Sequence, residues 1–321
     1  MKRRHFLGSA GLMVLSQPSA AQTFPDKPIR FIVPYAPGGS TDTSARIAAE
    51  QISQMLGQPV VVENKAGGGT IIGTEIVAKA RPDGYTILLT PAALIANAAF
   101  GTKVPYDIDK DLVPVTGFVD LPVLLAASNE APFKTVAELL AYAKADPKRT
   151  IPYASAGVGA LTHLWGEFVK ARTGMPLEHV GYKGSADALK DVVAGHVPLF
   201  SDVLVPTATS IRAGKLRGLA VATRERVELL PDVPTVAEAG LPGTECTIPF
   251  GISVPAGTPP EVIAKLNAVF NQTLADAAIR KRMIDLGFIP VGGTPQAYAA
   301  VVAGEIAKWR KVIKDSNIPA P

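Results

Sequence analysis

Four loops in this chain join glycine to the start of a helical stretch, and any chemistry it performs would centre on them. They read Pro37-Gly38-Gly39-Ser40-Thr41-Asp42, Gly67-Gly68-Gly69-Thr70, Ser155-Ala156-Gly157-Val158-Gly159-Ala160 ahead of Leu161-Thr162-His163, and Tyr182-Lys183-Gly184-Ser185. The first amides of a helix have no partner within it, and the helix dipole adds partial positive charge there. Such mouths therefore favour an anion. Glycine permits positive φ and lets a ligand come close to the main chain. The first loop has no lysine, arginine or histidine of its own, so an anion in front of it would find no basic side chain there. Glycine before a helix also serves tight turning and Ser/Thr capping, and one such loop alone is consistent with a structural role. Four of them, drawn from both halves of the chain, point to a shared anion site.

The side chains that could act on a ligand are few. Asp42 and Asp202 are candidate general bases, although Asp42 just after Ser40-Thr41 is equally placed to cap a helix. Asp202 ends a strand expected to face a cleft. A carboxylate there repels an anion unless it holds a ligand ammonium, a water or a backbone amide. His163, near a helix start, is suited either to orienting its loop or to bonding a ligand. Beyond the leader the chain holds three histidines, His163, His179 and His196, with no H-E-x-x-H spacing for a metal. No G-x-x-x-x-G-K-[ST] is present, and "GGGTIIG" lacks the G-x-G-x-x-G spacing of a dinucleotide site. There is no G-x-S-x-G elbow, and the lone Cys246, in "GTECTIP", does not precede a helix that would lower its pKa. The expectation is a site without metal or cofactor. Tyr35, Phe100, Tyr153, Tyr182, Phe200 and Phe250 are the aromatics that could line a small pocket.

The elements needed to position these loops follow a strand–helix alternation, which argues for an α/β fold with helices on the faces of parallel sheets. "IRFIVPY", "PVVVEN" and "YTILLT" read as strands, with the helix "TDTSARIAAEQISQMLG" and a second loop-then-helix stretch between them. A second unit of the same kind begins with "PVLLAAS" and runs through "TVAELLAYAKADP", "IPYAS", "LEHVGY", "SADALKDVVAGH" and "VPLFSD". "RGLAVAT" and "FGISVPAGTP" are further strands, and the tail is helical. The expected organisation is two lobes around a cleft, with residues 22–123 plus 225–321 forming one and 124–224 the other.

The first 21 residues read as a signal peptide. A basic start precedes an apolar run, Phe6 to Leu15, and small residues lead to a cut near Ala21. Arg3-Arg4 followed by Phe6-Leu7 points to the twin-arginine route. The run is too short to span a bilayer, so export to the periplasm is expected. Loss of Lys2, Arg3 and Arg4 takes the formal net charge from +4 to +1, which gives no reason to expect a nucleic-acid partner. With 47% hydrophobic and 19% charged residues in 321, the chain has an ordinary globular composition.

Several stretches together resemble the receptors of the tripartite tricarboxylate transporter family, also called Bug-type receptors. They are "PGGSTDTSARIAAEQISQMLGQPVVVENKAGGGTIIGTEIVAKARPDGYTILL", "VPYDIDKDLVPVTGFVDLPVLL", "YASAGVGALTHL", "VGYKGSADALKDVVAGHV", "GKLRGLAVATRERVELLPDVPTVAEAGLPG" and "PAGTPPEVIAKLN". The match runs from about Phe24 to the C-terminus. It implies a two-lobed periplasmic binding protein of type II-like, Venus-flytrap form, monomeric, that closes on a small organic carboxylate for membrane transporter subunits or a sensor. In that family the carboxylate is held by backbone amides and ordered waters of two loops.

Carried onto this chain, the first-lobe contacts are Tyr35, Pro37, Gly38, Gly39, Ser40, Asp42, Gly69 and Thr70. The second-lobe contacts are Ser155, Gly157, Gly159, Thr162 and His163, with Gly184, Ser185 and Asp202 behind them. The chain departs from the pattern at "CTIPFGISVPAGTP", where Pro249-Phe250 stands in place of a tryptophan-containing stretch, and at Ser155-Ala156. Both departures bear on the part of the ligand beyond its carboxylate. Two other readings remain open from the residues: an exported enzyme using Asp42, His163 or Asp202, and a signalling ectodomain that binds nothing.

Overall fold

The computed structural model describes residues 24–320 except 147. The signal-peptide and export-route expectations concern residues 1–21 and lie outside the described residues.

β1 (Ile29–Val33) is an apolar run with only Arg30 exposed, the pattern of a strand covered on both faces. α1 (Ser40–Leu56) buries Ala45, Ile47, Ala48 and Ile52 against it and stops at Gly57, which takes the left-handed φ of 65° that closes helices. β2 (Val60–Asn64), α2 (Ile71–Ala78), β3 (Thr86–Thr90) and α3 (Ala92–Phe100) follow. β1 pairs in parallel with both β2 and β3, giving the order β2-β1-β3.

After the short α4 (Ile108–Asp111), the 17-residue β4 (Leu112–Ser128) leads into α5 (Val136–Ala145). A second unit comprises β5 (Ile151–Ser155), α6 (Leu161–Thr173), β6 (Leu177–Gly181), α7 (Ser185–Val193) and β7 (Leu199–Val203). Here β5 pairs in parallel with β6 and β7, which repeats the topology of the first unit. α8 (Leu204–Arg212), β8 (Leu216–Val221), β9 (Thr247–Pro255), α9 (Pro260–Ala275), α10 (Ala277–Asp285), β10 (Ile289–Pro290) and α11 (Pro295–Asp315) complete the chain.

β4 ties the two units together. From Leu112 to Pro122 it pairs with β9, which itself pairs with β3; from Val123 to Ser128 it pairs with β7 and β8. The sequence suggested a strand only from Pro122. The earlier half is hidden because Pro114, Gly117 and Asp120 interrupt its apolar run, and the ladder to β9 slips at Pro114/Thr116 and Gly117/Val119. β9 is held close to α11: a Cβ on Gly251 would stand 2.0 Å from the Tyr298 ring, so only glycine fits. In the first unit Phe31 and Phe118 meet Phe270 edge-on; the same core runs on into the second unit through Tyr153, Leu164 and Trp165, and a separate cluster around Leu124, Phe200 and Val221 supplies the rest.

Candidate functional site

Parallel strands point the same way, so the loops after β1, β2 and β3 gather at one sheet edge and those after β5, β6 and β7 at one edge of the second unit. Ligands of open α/β sheets bind at such carboxyl edges.

In the first loop Gly38 has φ 84° and Gly39, at φ −77° and ψ 172°, is the N-cap of α1. Asp42 is therefore not the cap; it sits at the third helical position and reaches back. Its Oδ2 accepts the Gly38 N–H at 2.8 Å and Arg46 Nε at 3.0 Å, and its Oδ1 accepts Asn64 Nδ2 at 2.9 Å. Asn64 also donates to the Tyr35 carbonyl and accepts from Arg46, which closes a network around the loop. Burial alone would raise the Asp42 pKa, but the bonds from Arg46, Gly38 and Asn64 outweigh it and hold the carboxyl below its usual range. Asp42 braces the loop, and Arg46 neutralises it. The amides of Gly39, Ser40 and Thr41 have no acceptor among the described residues. Tyr35, half-buried, leans on Phe250 beside this loop, with ring centroids 6.1 Å apart, while Pro37 lies exposed at its tip.

The second loop is a left-handed turn. Gly68, Gly69 and Thr70 have φ of 55°, 61° and 80°. A β-branched residue in this region is strained, and such strain concentrates at functional sites. Thr70 is buried, yet its Oγ1 has no hydrogen-bond partner among the described residues.

In the second unit Gly159 donates its N–H to His163 Nδ1 at 3.1 Å, so Nδ1 is the bare nitrogen and the imidazole pins its own loop. His163 stacks on His179 at 3.7 Å between centroids, and His179 Nε2 lies 2.7 Å from Ser155 Oγ. Burial lowers both imidazoles to about 4, with Lys170 adding to the effect on His163 and His163 to that on His179. Ser155 Oγ in turn faces the amide of Gly157 at 3.3 Å. Thr162, two residues into α6, is buried with Oγ1 unpartnered, while its carbonyl accepts Ser201 Oγ at 2.6 Å. Gly184 caps α7 and Ser185 opens it. Asp202, at the end of β7, is 1% exposed. Its Oδ1 accepts the Val203 N–H at 2.7 Å and its Oδ2 has no partner among the described residues. Burial pushes this carboxyl up to about 6, against the lowering effect of the nearby Ser185 hydroxyl and the Val203 amide.

Five buried side-chain polar atoms lack partners among the described residues: Thr70 Oγ1, Thr162 Oγ1, Asp202 Oδ2, Asn97 Nδ2 and Tyr106 Oη. Natural proteins leave few such atoms, so each calls for an explanation. The first three belong to residues singled out from the sequence, and they come from both units. Asn97 and His179 were not foreseen. His179 reaches the site only through the β5–β6 register, where it stands opposite Tyr153, and no local motif announces that. A cavity of about 580 Å³ lies elsewhere, at the crossing between units, with Asp120, Pro122, Cys246 and Thr247 in its wall. Among the described residues no cluster of three or more His, Cys, Asp and Glu is arranged to hold a metal. No described helix is long and apolar enough to cross a membrane.

The imidazoles make a pH prediction. Their folded pKa of about 4 lies below the unfolded 6.5, so between these values the unfolded chain binds more protons. Their stabilising contribution is complete above pH 6.5 and is lost as pH falls towards 4. Asp202, raised from 3.8 to about 6, works in the opposite sense over much of that window but is one group against two. The melting temperature of the unliganded protein is expected to fall between pH 6.5 and 4, and His179→Asn to shallow that slope. A wild-type profile flat across the window would contradict the assignment of neutral, buried imidazoles.

The sequence pattern of a family described as "Tripartite tricarboxylate transporter family receptor" matches residues 44–318. The periplasmic binding protein BugD, a solved structure, is 36% identical, covers 92% of this chain and 99% of its own, and superposes with a TM-score of 0.75. Rpa4515 from R. palustris, solved with adipate, is 35% identical over 92% of this chain and 99% of its own, with a TM-score of 0.81. MatC from Rhodopseudomonas palustris, solved with bound malate, is 34% identical over 90% of this chain and all of its own, with a TM-score of 0.75.

Proposed function

The chain belongs to the tripartite tricarboxylate transporter receptor family, and from that premise we propose that it captures a small organic carboxylate between its two sheet units without transforming it. The observation that carries this reading is the set of unpartnered groups at the loop mouths. The amides of Gly39, Ser40 and Thr41 and the hydroxyl of Thr70 stand on one unit, and the hydroxyl of Thr162 stands on the other. All of them can donate, and together they suit an anion. The carboxylate lies before Gly38, Gly39 and Ser40 and against Gly69-Thr70, with Tyr35 and Pro37 at the edge. Ser155, Gly157, Gly159 and Thr162 approach from the second unit, backed by Gly184, Ser185 and Asp202. Asp42 and His163 serve by fixing the two loops that carry the donors. A hydrogen bond to a charged group contributes about 1.5–3 kcal/mol, so a few such amides suffice for micromolar binding.

The receptor is exported, loses residues 1–21 near Ala21, and works in the periplasm as a monomer. Its lobes, 22–123 plus 225–321 and 124–224, close over the ligand and exclude water. Cargo passes to membrane transporter subunits; delivery to a sensor is the alternative destination. The adipate and malate of the two relatives support a dicarboxylate as the class of cargo.

A thermal-shift panel of mono-, di- and tricarboxylates on the processed protein tests the reading, since a ligand of the folded state raises the melting temperature. At least one acid is expected to raise it in proportion to the logarithm of its concentration and to be recovered unchanged. Recovery of a converted product, lost in His163→Ala, would favour an enzyme instead. Silence across the panel would favour a signalling ectodomain.

A further inference from the structure

Resting on the carboxylate-receptor reading, we propose that the ligand is an acid that also carries a hydrogen-bond donor (a hydroxyl, amino or amide N–H), and that Asp202 selects it by accepting that donor at Oδ2.

The unpartnered atoms at the mouths are not alike. The hydroxyls of Thr70 and Thr162 can give a proton to a ligand oxygen, whereas an ionised carboxylate can only accept. Asp202 is 1% exposed, and one oxygen is held by Val203. Ser201 Oγ, from the neighbouring residue of β7, donates to the Thr162 carbonyl and does not bond Oδ2. Ser185 lies near enough to influence the carboxyl without bonding Oδ2. Among the described residues no arginine or lysine pairs with Asp202, in contrast to Asp42, which has Arg46. The second unit thus keeps a buried acceptor at the strand end where α8 begins, beside the mouth of α7. A second carboxylate brought to that point would meet like charge and would leave Oδ2 desolvated and unpaired. A ligand hydroxyl or ammonium would satisfy it. Sites built to bond a donor reject analogues that lack it far more strongly than apolar pockets reject a missing methylene.

Calorimetry on the processed protein with matched acids tests this: succinate against malate, glutarate against glutamate, adipate against 2-aminoadipate. In the pairs that bind, the donor-bearing acid is expected to bind tenfold or more tightly. Asp202→Ala is expected to remove that preference, weakening the donor-bearing member at least tenfold more than the plain one. Asp202→Asn keeps an acceptor of the same shape, so it should retain preference for a hydroxyl but lose preference for an amine; it also guards against an Asp202→Ala protein that does not fold. Equal or tighter binding of the plain acids by the wild type would overturn the inference while leaving the receptor reading intact, as when a water fills the place beside Oδ2. A preference that survives unchanged in Asp202→Ala would overturn it too. Failure of every acid in every pair to bind would defeat both.

Discussion

Trp165→Ala is expected to lower the unfolding free energy by roughly 3–5 kcal/mol, the usual range for removing a fully buried tryptophan. Trp165 has no exposed surface, and its Nε1–H donates to the Thr244 carbonyl at 2.7 Å. Thr244 lies in the segment that returns from β8 to β9, so this bond fastens α6 to that return. The alanine variant loses the indole volume, leaves a cavity, and strands a buried carbonyl without its donor. At about 2–4 °C per kcal/mol for large single-chain proteins, the melting temperature should fall by roughly 6–20 °C. Trp165→Phe separates the two contributions, since it keeps most of the packing and loses the bond, at a cost of about 1–3 kcal/mol for the unsatisfied carbonyl and some lost volume. Chemical denaturation followed by circular dichroism gives the comparison. A loss below about 1 kcal/mol in the alanine variant would mean that α6 is not anchored through this contact.

How far the chain can be read without coordinates depends on whether a feature is local. β1 and α1 were legible because "IRFIV" is an unbroken apolar run and α1 combines helical periodicity with a closing Gly57. The four mouths were legible because glycine and Ser/Thr mark loop-to-helix turns wherever they occur. α3 was missed: "AALIANAAF" is apolar nearly all round and starts after Pro91 with no side-chain cap, so neither its period nor its start stands out. The first half of β4 was missed because its bulges break the alternation.

At the site, the place of Asp42 just after Ser40-Thr41 suggested a helix cap, but the saturation of its carboxylate depends on Asn64, a partner that only the pairing of β1 with β2 brings alongside. The stacking of His163 on His179 likewise depends on a strand register. Left-handed Thr70 was invisible, since threonine rarely adopts that backbone.

Ser40→Pro offers the largest expected effect on binding with the least disturbance of structure. Ser40 is the first residue of α1, where proline is well tolerated because the N–H it lacks has no helical partner. Gly39 before it already has the extended conformation, φ −77° and ψ 172°, that a residue preceding proline requires. No described group accepts the Ser40 N–H. The substitution therefore deletes one candidate donor, and the loop around it stays where Asp42 and Asn64 hold it. Ser40→Ala removes the hydroxyl alone and serves as the reference. The measurement is the affinity of both variants, by calorimetry, for whichever carboxylate stabilises the wild type, alongside their melting temperatures. Capture of the acid by main-chain amides predicts melting temperatures within a few degrees of each other and affinity lower in Ser40→Pro by about tenfold to a hundredfold, the equivalent of one charge-assisted hydrogen bond. Equal affinity in two folded variants would contradict it.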